Sequence, residues 1–581
     1  MSGTHLPKRR MHAFALTVLT LIMLLPGLAS IPVIDRDEAR YAQASVQMAE
    51  SGDWLNIRFQ DEARNKKPAG AYWAQTVMLK TLSSPEKRQI WVQRLPSVIA
   101  GLLAVLLTYL AAVRMIGRQG ALYAAGALAI SLIFVFEGHI AKTDALLCAS
   151  ASAVFAALAH VRHPDPNARF KRLWVWVFWV GLGAGIMIKG PIVPALAVIS
   201  ILGLWVWERR LGWAKALLFW PAIILFLLIW MPWAIAIYMA TDGAFFTESL
   251  GNDFGGKLVS AQEKHPGPPG YHLGLIWLTL WPSSLFLIPG AIYAVRSVRS
   301  GKGDMSAVTK AMRLCLIWVV PFWLMIEIMP TKLPHYVLPL FPALCVMIGA
   351  AIATLMQVKI FPVARFISAA LFAVATTALI GALLYAQTIY GTPDMEMITY
   401  AIIGVGALAA LIAAFGMVVG KAKLTVMSAV LSAIVLSCGA YGYILPNLDQ
   451  FRTSERVAQT LNPVSLGDTI SPTYTEPSLL YYTNKSLRLG GQADPIDMAA
   501  IREGRVIILD LKSEAQPDLL VKLQDAALAD SVCLEVSEPV RGFNYSKGDK
   551  VEIVTVRGDV CPTVTSPEPP IGSTETVPDP E

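Results

Sequence analysis

The chain has 581 residues, of which 55% are hydrophobic and only 15% are charged. Soluble globular proteins contain roughly a quarter charged residues, so this composition argues against a soluble protein. Six cysteines are too few for a disulfide scaffold. The formal net charge is +7, but membrane proteins collect Lys and Arg in cytoplasmic loops, so the charge does not indicate a nucleic-acid partner. The composition predicts a polytopic helical membrane protein.

Thirteen apolar runs are predicted to cross the membrane, because a helix needs roughly 20 apolar residues to span the hydrocarbon layer. The nine longer runs are 13–34, 95–113, 119–136, 216–240, 273–295, 336–358, 366–390, 397–420 and 424–445. The four shorter runs are 145–159, 173–188, 190–207 and 314–326. The first run also resembles a signal peptide, but its length favours an uncleaved span.

Basic residues predict the orientation of these spans. Lys and Arg occur before the first run and then in every second loop, for example Arg114, Arg209, Arg299 and Lys421. Short loops rich in Lys and Arg stay on the cytoplasmic side. The N-terminus is therefore predicted to be cytoplasmic, and an odd number of spans places the C-terminus in the periplasm.

The loops on the opposite face carry mixed charges. The first, 35–94, is long, has an acidic pair near its start and contains a predicted helix at 37–50. The loop 241–272 contains carboxylates, lysines and histidines. Ionisable residues beside spans usually mark a site, and here they come from at least five loops. A transporter would instead show charges near the middle of the membrane and an inverted repeat. The pattern favours a site on the periplasmic face.

The composition changes after residue 445. Residues 1–445 are predicted to form a transmembrane domain, and 446–561 a soluble periplasmic α/β domain. Its strand-like runs are 506–511, 532–536 and 551–556, with a helix at 514–528. Cys533 and Cys561 both lie there, and a disulfide between them is left open. The tail, 562–581, is rich in Pro, Thr, Ser and Glu and is predicted to be disordered.

Several short motifs follow one another between residues 37 and 342. They are Asp37-Glu38-Ala39-Arg40-Tyr41-Ala42, Gly52-Asp53-Trp54, Lys67-Pro68-Ala69-Gly70-Ala71-Tyr72-Trp73, Thr143-Asp144-Ala145, Ile188-Lys189-Gly190, Met231-Pro232-Trp233 and Lys332-Leu333-Pro334-His335-Tyr336. In this order, the set resembles the GT-C membrane glycosyltransferases. It is most similar to the transferases that add 4-amino-4-deoxy-L-arabinose to lipid A, within the protein O-mannosyltransferase-like superfamily.

The resemblance implies transfer of a sugar from a polyprenyl phosphate to lipid A, or to another part of the lipopolysaccharide, at the inner membrane. It also implies three catalytic residues: Asp37 as a base, Glu38 beside the acceptor, and Asp144 in a second acidic motif. The lipid-phosphate leaving group needs cations. The candidate cations are Arg58, Lys67, Lys189 and Lys332. The residues expected to bind the acceptor or other parts of the substrate are Lys66, Tyr72, His265, His335 and Tyr336.

Lys66 departs from the pattern of this family. The aminoarabinose transferases carry a Glu before the Lys-Pro pair, and that Glu can help to bind a metal. Two adjacent cations at Lys66 and Lys67 favour an anion instead. The metal requirement is therefore left open, and a phosphate-bearing acceptor or an acidic sugar such as a uronic acid becomes an alternative to aminoarabinose.

Other interpretations remain open. Asp37 and Asp144 could cap the helices that begin beside them, Lys189 could extend to the membrane interface, and the histidines could be structural. A protein O-glycosyltransferase is the alternative within the same class of enzymes. A flippase for lipid-linked sugars is the alternative that would leave the glycosidic bond intact.

Overall fold

The computed structural model describes residues 5–163, 168–256, 267–300, 306–358, 361–461, 468–483, 487–490, 494–514 and 516–559. The predictions for His265, Cys561 and the tail 562–581 lie outside these residues. The first ten helices in the described part of the chain are α1 (His5–Leu24), α2 (Asp37–Ser51), α3 (Gly70–Leu82), α4 (Ile90–Ala129), α5 (Leu132–Gly138), α6 (Asp144–Arg162), α7 (Ala168–Lys189), α8 (Ile192–Glu208), α9 (Trp220–Ala240) and α10 (Ala244–Phe246).

The remaining helices are α11 (Tyr271–Thr279), α12 (Leu287–Ser300), α13 (Ala307–Ile328), α14 (Phe341–Leu355), α15 (Pro362–Tyr390), α16 (Glu396–Val419), α17 (Ala422–Gly439), α18 (Thr453–Thr460), α19 (Pro477–Tyr482), α20 (Met498–Arg502) and α21 (Leu519–Ala529). The strands are β1 (Arg58–Phe59), β2 (Glu62–Ala63), β3 (Thr469–Ser471), β4 (Leu487–Leu489), β5 (Val506–Asp510), β6 (Cys533–Val536), β7 (Val540–Asn544) and β8 (Asp549–Asp559).

Nine helices in the described ranges are long and apolar enough to cross a membrane, and the bent pair formed by α11 and the segment Ser283–Ser300 makes ten. Two shorter apolar helices, Arg10–Leu24 and Ile192–Glu208, correspond to further predicted spans. The 40-residue α4 contains non-helical backbone at Gly117 (φ 78°). Helix α4 is therefore two helical parts joined at Gly117; it holds the predicted run 95–113 and the first part of the run 119–136, which ends in α5. The thirteen predicted runs fall mainly on helices, but some cross a break, as between α4 and α5 and between α11 and α12. Among the described residues, nine or ten helices are long and apolar enough to be spans, fewer than the thirteen predicted.

Small residues allow the central helices to pack closely. A Cβ placed at Gly349 of α14 would lie 2.4 Å from the carbonyl oxygen of Gly120 in α4. Without a hydrophobic force between helices in lipid, close backbone approach and van der Waals packing hold spans together. This contact fixes the position of α14 and of the 3₁₀ segment Pro334–Leu340 that precedes it.

Helix α2 lies in the loop predicted at 35–94 and closely matches the predicted helix 37–50. It packs against α3, and its apolar face is buried with residues such as Ala42 and Val46. A short antiparallel hairpin, β1–β2, follows it. This arrangement places the first residue of α2 at the end of the transmembrane bundle.

Residues 449–559, called the C-terminal region below, contain a six-stranded mixed sheet. The strand order is β4-β3-β5-β8-β6, with β7 also paired to β8. The pairs of β3 with β4 and β5 are parallel, and the pairs with β8 are antiparallel. The predicted strands near 506, 532 and 551 correspond to β5, β6 and β8. Cys533 is disulfide-bonded.

Candidate active site

Asp37 is the first residue of α2, and its side chain is exposed. The residue before it, Arg36, has a positive φ of 43°, and no side-chain hydrogen bond caps the helix. Asp37 therefore does not serve as the helix cap that was one alternative. Its carboxylate contributes to the electrostatic environment of Lys142, Arg64 and Arg40, so it lies within range of three cations.

Glu38 has a different environment from its neighbour. It is 1% exposed and forms a bidentate pair with Arg94, with both N–O distances at 2.8 Å. The backbone amides of Ala141 and Ile34 each donate to the same carboxylate at 2.8 Å. Arg94 uses its remaining donors on three backbone carbonyls between residues 28 and 32. Both carboxylate oxygens therefore accept hydrogen bonds from groups of the protein itself.

Asp144 lies in a buried network of charges at the ends of α5, α6 and α7. Its oxygens are 2.6 Å from Nζ of Lys189 and 3.5 Å from Nζ of Lys142. Glu137 lies 3.2 Å from Lys142, and the His335 ring is within 3.7 Å of both carboxylates. No side-chain hydrogen bond caps the helix that begins at Asp144, and the carboxylate of Asp144 makes these ion pairs instead of capping it. The network joins two predicted motifs, at Asp144 and at Lys189, with the predicted His335.

The electrostatics of Lys142 link this network to Asp37. Burial disfavours the ammonium form, but the nearby carboxylates, Glu137 first among them, outweigh burial and raise the pKa of Lys142 above its usual value. Asp37 is one of the carboxylates that contribute. The exposed carboxylate of Asp37 is therefore close enough to the buried network to interact with it electrostatically.

Two stacked tyrosines form another side of the site. The rings of Tyr41 and Tyr72 lie 4.7 Å apart. Arg64 donates from Nε to the Tyr72 hydroxyl at 3.1 Å, and its guanidinium lies 5.5 Å from the centre of the Tyr41 ring. Burial lowers the pKa of Arg40, and the positive charge of Arg64 lowers it further. Two guanidinium groups in a half-buried setting beside tyrosine hydroxyls can bind an anion.

The other predicted cations differ in their surroundings. Lys332 is 5% exposed and donates to the carbonyls of Gly267 and Met329 at 2.9 and 2.8 Å. Two of its three donors are therefore used within the protein. Arg58 is exposed on β1, and Lys66 and Lys67 precede α3, the first exposed and the second half-buried.

Tyr336 is half-buried and lies beside the charged network. Nζ of Lys189 is 5.9 Å from the centre of its ring, and the His335 ring packs edge-on against it at 5.2 Å. The 3₁₀ segment Pro334–Leu340 holds both residues in place. The predicted pair His335 and Tyr336 therefore meets Asp144 and Lys189 in space.

A metal ion fits this site poorly. Within the described ranges, Glu137, Asp144 and His335 form one group whose ligand atoms lie within 4.8 Å of one another. However, the ammonium groups of Lys142 and Lys189 already pair with the two carboxylates at 2.6 to 3.5 Å. Two negative and two positive charges cancel, so a divalent cation would meet strong repulsion from the lysines.

The sequence patterns did not single out Arg64, Glu137 or Lys142 as site residues. Glu137 ends a short apolar helix, and a carboxylate at the end of a span is a signal that could have been used. Arg64 lies outside the motifs, and only folding brings it to Tyr41 and Tyr72.

Taken together, the chain is a multi-pass helical membrane protein with a charged site at one end of its spans. Comparison with known proteins then specifies the type of fold. The family model for dolichyl-phosphate-mannose-protein mannosyltransferase matches residues 12–243. The crystal structure of ArnT from Cupriavidus metallidurans bound to undecaprenyl phosphate superposes with a TM-score of 0.69 at 19% identity, covering 96% of this chain and 99% of that chain. The oligosaccharyltransferase from Archaeoglobus fulgidus gives 0.50 at 11% identity, over 93% and 73% of the two chains.

Curated relatives agree with this fold. An undecaprenyl phosphate-alpha-4-amino-4-deoxy-L-arabinose arabinosyl transferase from Pectobacterium carotovorum is 29% identical over 55% of each chain. The protein of the same name from Aeromonas salmonicida is 28% identical over 59% of this chain and 60% of its own. The chain thus matches a little over half the length of these relatives. The GT-C fold and the resemblance to lipid A aminoarabinose transferases, both predicted from the motifs, are confirmed.

Proposed function

We propose that this chain is a glycosyltransferase that moves a sugar from a polyprenyl phosphate to lipid A or another lipopolysaccharide acceptor. The reaction takes place on the periplasmic face of the inner membrane, with the N-terminus in the cytoplasm. The observation that carries the proposal is Asp37, an exposed carboxylate at the start of α2 beside a group of cations. The names of the relatives support a polyprenyl-phosphate donor, and the lipid A acceptor rests on the resemblance of the motifs.

The chemistry assigns Asp37 the role of base. A hydroxyl oxygen of the acceptor attacks the anomeric carbon and forms the new glycosidic bond. The bond from that carbon to the phosphate oxygen breaks, and the electron pair leaves with the polyprenyl phosphate. Asp37 takes the proton of the attacking hydroxyl, which raises the nucleophilicity of its oxygen in the transition state. If the acceptor is itself an ionised phosphate, no proton needs to be removed and Asp37 matters less.

The leaving phosphate needs positive charge that is already in place. Arg40 and Arg64, next to the stacked tyrosines, are two such groups, and Lys67 belongs to the predicted set. Lys189 is paired with Asp144, so in this proposal it acts by holding the network in place or by exchanging partners when the donor binds. Lys332 anchors backbone carbonyls and has one donor left for a ligand.

Glu38 is assigned to positioning. It ties the start of α2 to Arg94 and to the amide of Ala141, so it holds the helix that carries Asp37. Because both of its oxygens already accept hydrogen bonds, Glu38 could contact a substrate only if its buried ion pair with Arg94 were broken. Its loss would therefore act through the position of Asp37.

The sugar is the finer part of the proposal. Aminoarabinose is a pentose and carries an amine, whereas Lys66 beside Lys67 favours an anionic group. A phosphate-bearing acceptor or a uronic acid donor carries the negative charge that these two lysines can bind. Replacing Lys66 with Glu should shift the preference among lipid-linked donors towards the amino sugar, and an unchanged preference would exclude this role for Lys66.

The experiment that tests the function is mass spectrometry of lipid A from cells with and without the protein. The expected result is a mass difference of one sugar that vanishes in the deletion and in Asp37→Asn. A matched control is Asp61→Asn, because Asp61 is an exposed carboxylate in the β1–β2 turn. Lipid A, core and O-antigen sugars that are all unchanged by deletion would refute the lipopolysaccharide acceptor.

The match to the mannosyltransferase family model favours one second candidate, a protein O-glycosyltransferase. It predicts glycoproteins that disappear in the deletion while the lipopolysaccharide stays the same. A flippase for lipid-linked sugars predicts that Asp37→Asn leaves its activity intact, since no hydroxyl is deprotonated.

A further inference from the structure

The segment that precedes Asp37 is held by side chains of the C-terminal region. The backbone amide of Val33 donates to the hydroxyl of Tyr482 at 2.8 Å. The backbone amide of Asp35 donates to the hydroxyl of Tyr545. The chain just before α2 therefore depends, at Val33 and Asp35, on hydrogen bonds to residues more than 400 positions away.

The carboxylate of Asp35 makes a third connection. Its two oxygens accept from the backbone amide and the hydroxyl of Ser478, both at 2.7 Å. The hydroxyl of Ser454 lies 2.6 Å from that of Ser478 and 3.0 Å from that of Tyr474. Asp35 is thus the end of a buried hydrogen-bonded chain that starts inside the C-terminal region.

The residue between Asp35 and Asp37 is strained. Arg36 has φ 43° and ψ −63°, in the half of conformational space that favours glycine. Non-glycine residues persist there only where contacts on both sides over-determine the backbone. On one side is Asp35 with its partners in the C-terminal region, and on the other is α2, fixed through Glu38.

We infer that the C-terminal region is a working part of the active site, in which Asp35, bound by Ser478, positions the candidate base Asp37. Asp35 touches no reacting atom in this scheme, and it acts by fixing the backbone from which Asp37 projects. The inference rests on the proposed function for the role of Asp37. The docking contacts themselves do not depend on which reaction is catalysed.

The charges that face Asp35 make its role dependent on pH. Burial first, and then the negative charge of Glu476, raise the pKa of Asp35 to about 7, against the hydrogen bonds from Ser478 and the positive charge of Arg36. The hydroxyls of Tyr474 and Tyr545 also face it. The ionised carboxylate accepts from the backbone amide and the hydroxyl of Ser478, whereas protonation of the oxygen facing that hydroxyl would reverse the hydrogen bond and turn the serine hydrogen towards Ser454. The arrangement in which Ser478 donates both hydrogen bonds to Asp35 is therefore complete above pH 7.

The test compares Ser478→Ala and Asp35→Asn with the wild-type full-length protein in a transfer assay with lipid-linked sugar. A matched control is Ser471→Ala, because Ser471 is equally buried but bonds to the carbonyl of Tyr474 within the C-terminal region. The expected result for Ser478→Ala is a kcat reduced by about 10- to 100-fold with KM for the donor unchanged, since misplacement of a catalytic group affects the chemical step. Ser471→Ala should retain wild-type kcat.

The pH profile of kcat provides a readout that a merely structural contact would not change. In the wild type, kcat should rise through pH 7, and Asp35→Asn should remove that rise because Asn does not titrate. A rise through pH 7 that is unchanged in Asp35→Asn would overturn the positioning role. So would a Ser478→Ala variant with wild-type kcat.

Hydrogen exchange separates this inference from the proposed function. In Ser478→Ala and in Tyr545→Phe, the amides of residues 33–40 should exchange faster than in the wild type, and in Ser471→Ala they should not. Faster exchange in a protein whose wild type transfers no sugar would uphold the docking and refute the proposed function. Unchanged exchange in both variants would refute the docking, whatever the activity.

Discussion

Replacing Glu38 with Gln should destabilise the protein strongly, whereas replacing the adjacent Asp37 with Asn should leave stability unchanged and remove activity. The two carboxylates are neighbours in the sequence, yet one is buried with all its acceptors used and the other is exposed. The pair of variants therefore separates a residue that builds the site from one that acts in it.

The magnitude follows from the contacts of Glu38. It accepts two hydrogen bonds from Arg94 and one each from the amides of Ala141 and Ile34. Breaking a buried ion pair by removing one partner costs about 3–5 kcal/mol, because the other charge is left uncompensated. Gln also places an NH₂ group against N–H donors. Asp37 is exposed, so its substitution should change the free energy of unfolding by no more than about 0.5 kcal/mol.

The assay is thermal unfolding of the purified protein in detergent, combined with the transfer assay. Glu62→Gln is a matched control because Glu62 is an exposed carboxylate in the β1–β2 hairpin. Glu38→Gln should lower the midpoint and Glu62→Gln should not. A Glu38→Gln protein with wild-type stability and no activity would refute this reasoning, because it would mean that Glu38 acts on the substrate directly.

The remaining predictions concern the charged network, the anchoring lysine and Asp35. Asp144→Asn should destabilise the protein by about 3–5 kcal/mol, because it leaves the ammonium groups uncompensated. In a double-mutant cycle of unfolding free energies, adding Lys189→Met should recover about 1–2 kcal/mol of that loss. Strictly additive effects would contradict the pairing of Asp144 with Lys189. Lys332→Met should lower the unfolding midpoint while leaving KM for the donor within about twofold, and a large rise in KM alone would instead support phosphate binding. Because the folded-state pKa of Asp35 is raised to about 7, its contribution to stability is full below about pH 4 and is lost as pH rises through 7. Asp35→Asn should remove that decline in thermal unfolding measured across the same range, and a decline of unchanged size would argue that other groups cause it.

Local patterns along the chain predicted the helices of the membrane-spanning part but not their breaks, such as the bend between α11 and the segment Ser283–Ser300. The apolar runs predicted the helices because every backbone group in lipid must be bonded within its own segment. The helix at 37–50 and the strands near 506, 532 and 551 also follow local periodicity. The motif at Asp37 led to the family resemblance that the comparisons confirm.

Tertiary structure decided which of the predicted site residues share one environment. Asp144, Lys189 and His335 are far apart in the chain, and only packing of α6, α7 and the segment before α14 brings Lys189 and His335 within 4 Å of Asp144. Charge alone could not distinguish Lys189, paired with a carboxylate, from Lys332, which holds backbone carbonyls. Both are single lysines beside an apolar run.

The pair Asp37 and Glu38 shows where sequence information ends. Its acidity and its position after the first span indicated a site, because charges beside spans are costly unless they are used. Which of the two carboxylates is exposed depends on the direction in which α2 leaves Arg36, and that direction depends on Arg94 and on the C-terminal region. Successive residues of a helix point about 100° apart, so adjacent carboxylates meet different surroundings, and these surroundings exist only once distant parts of the chain have packed.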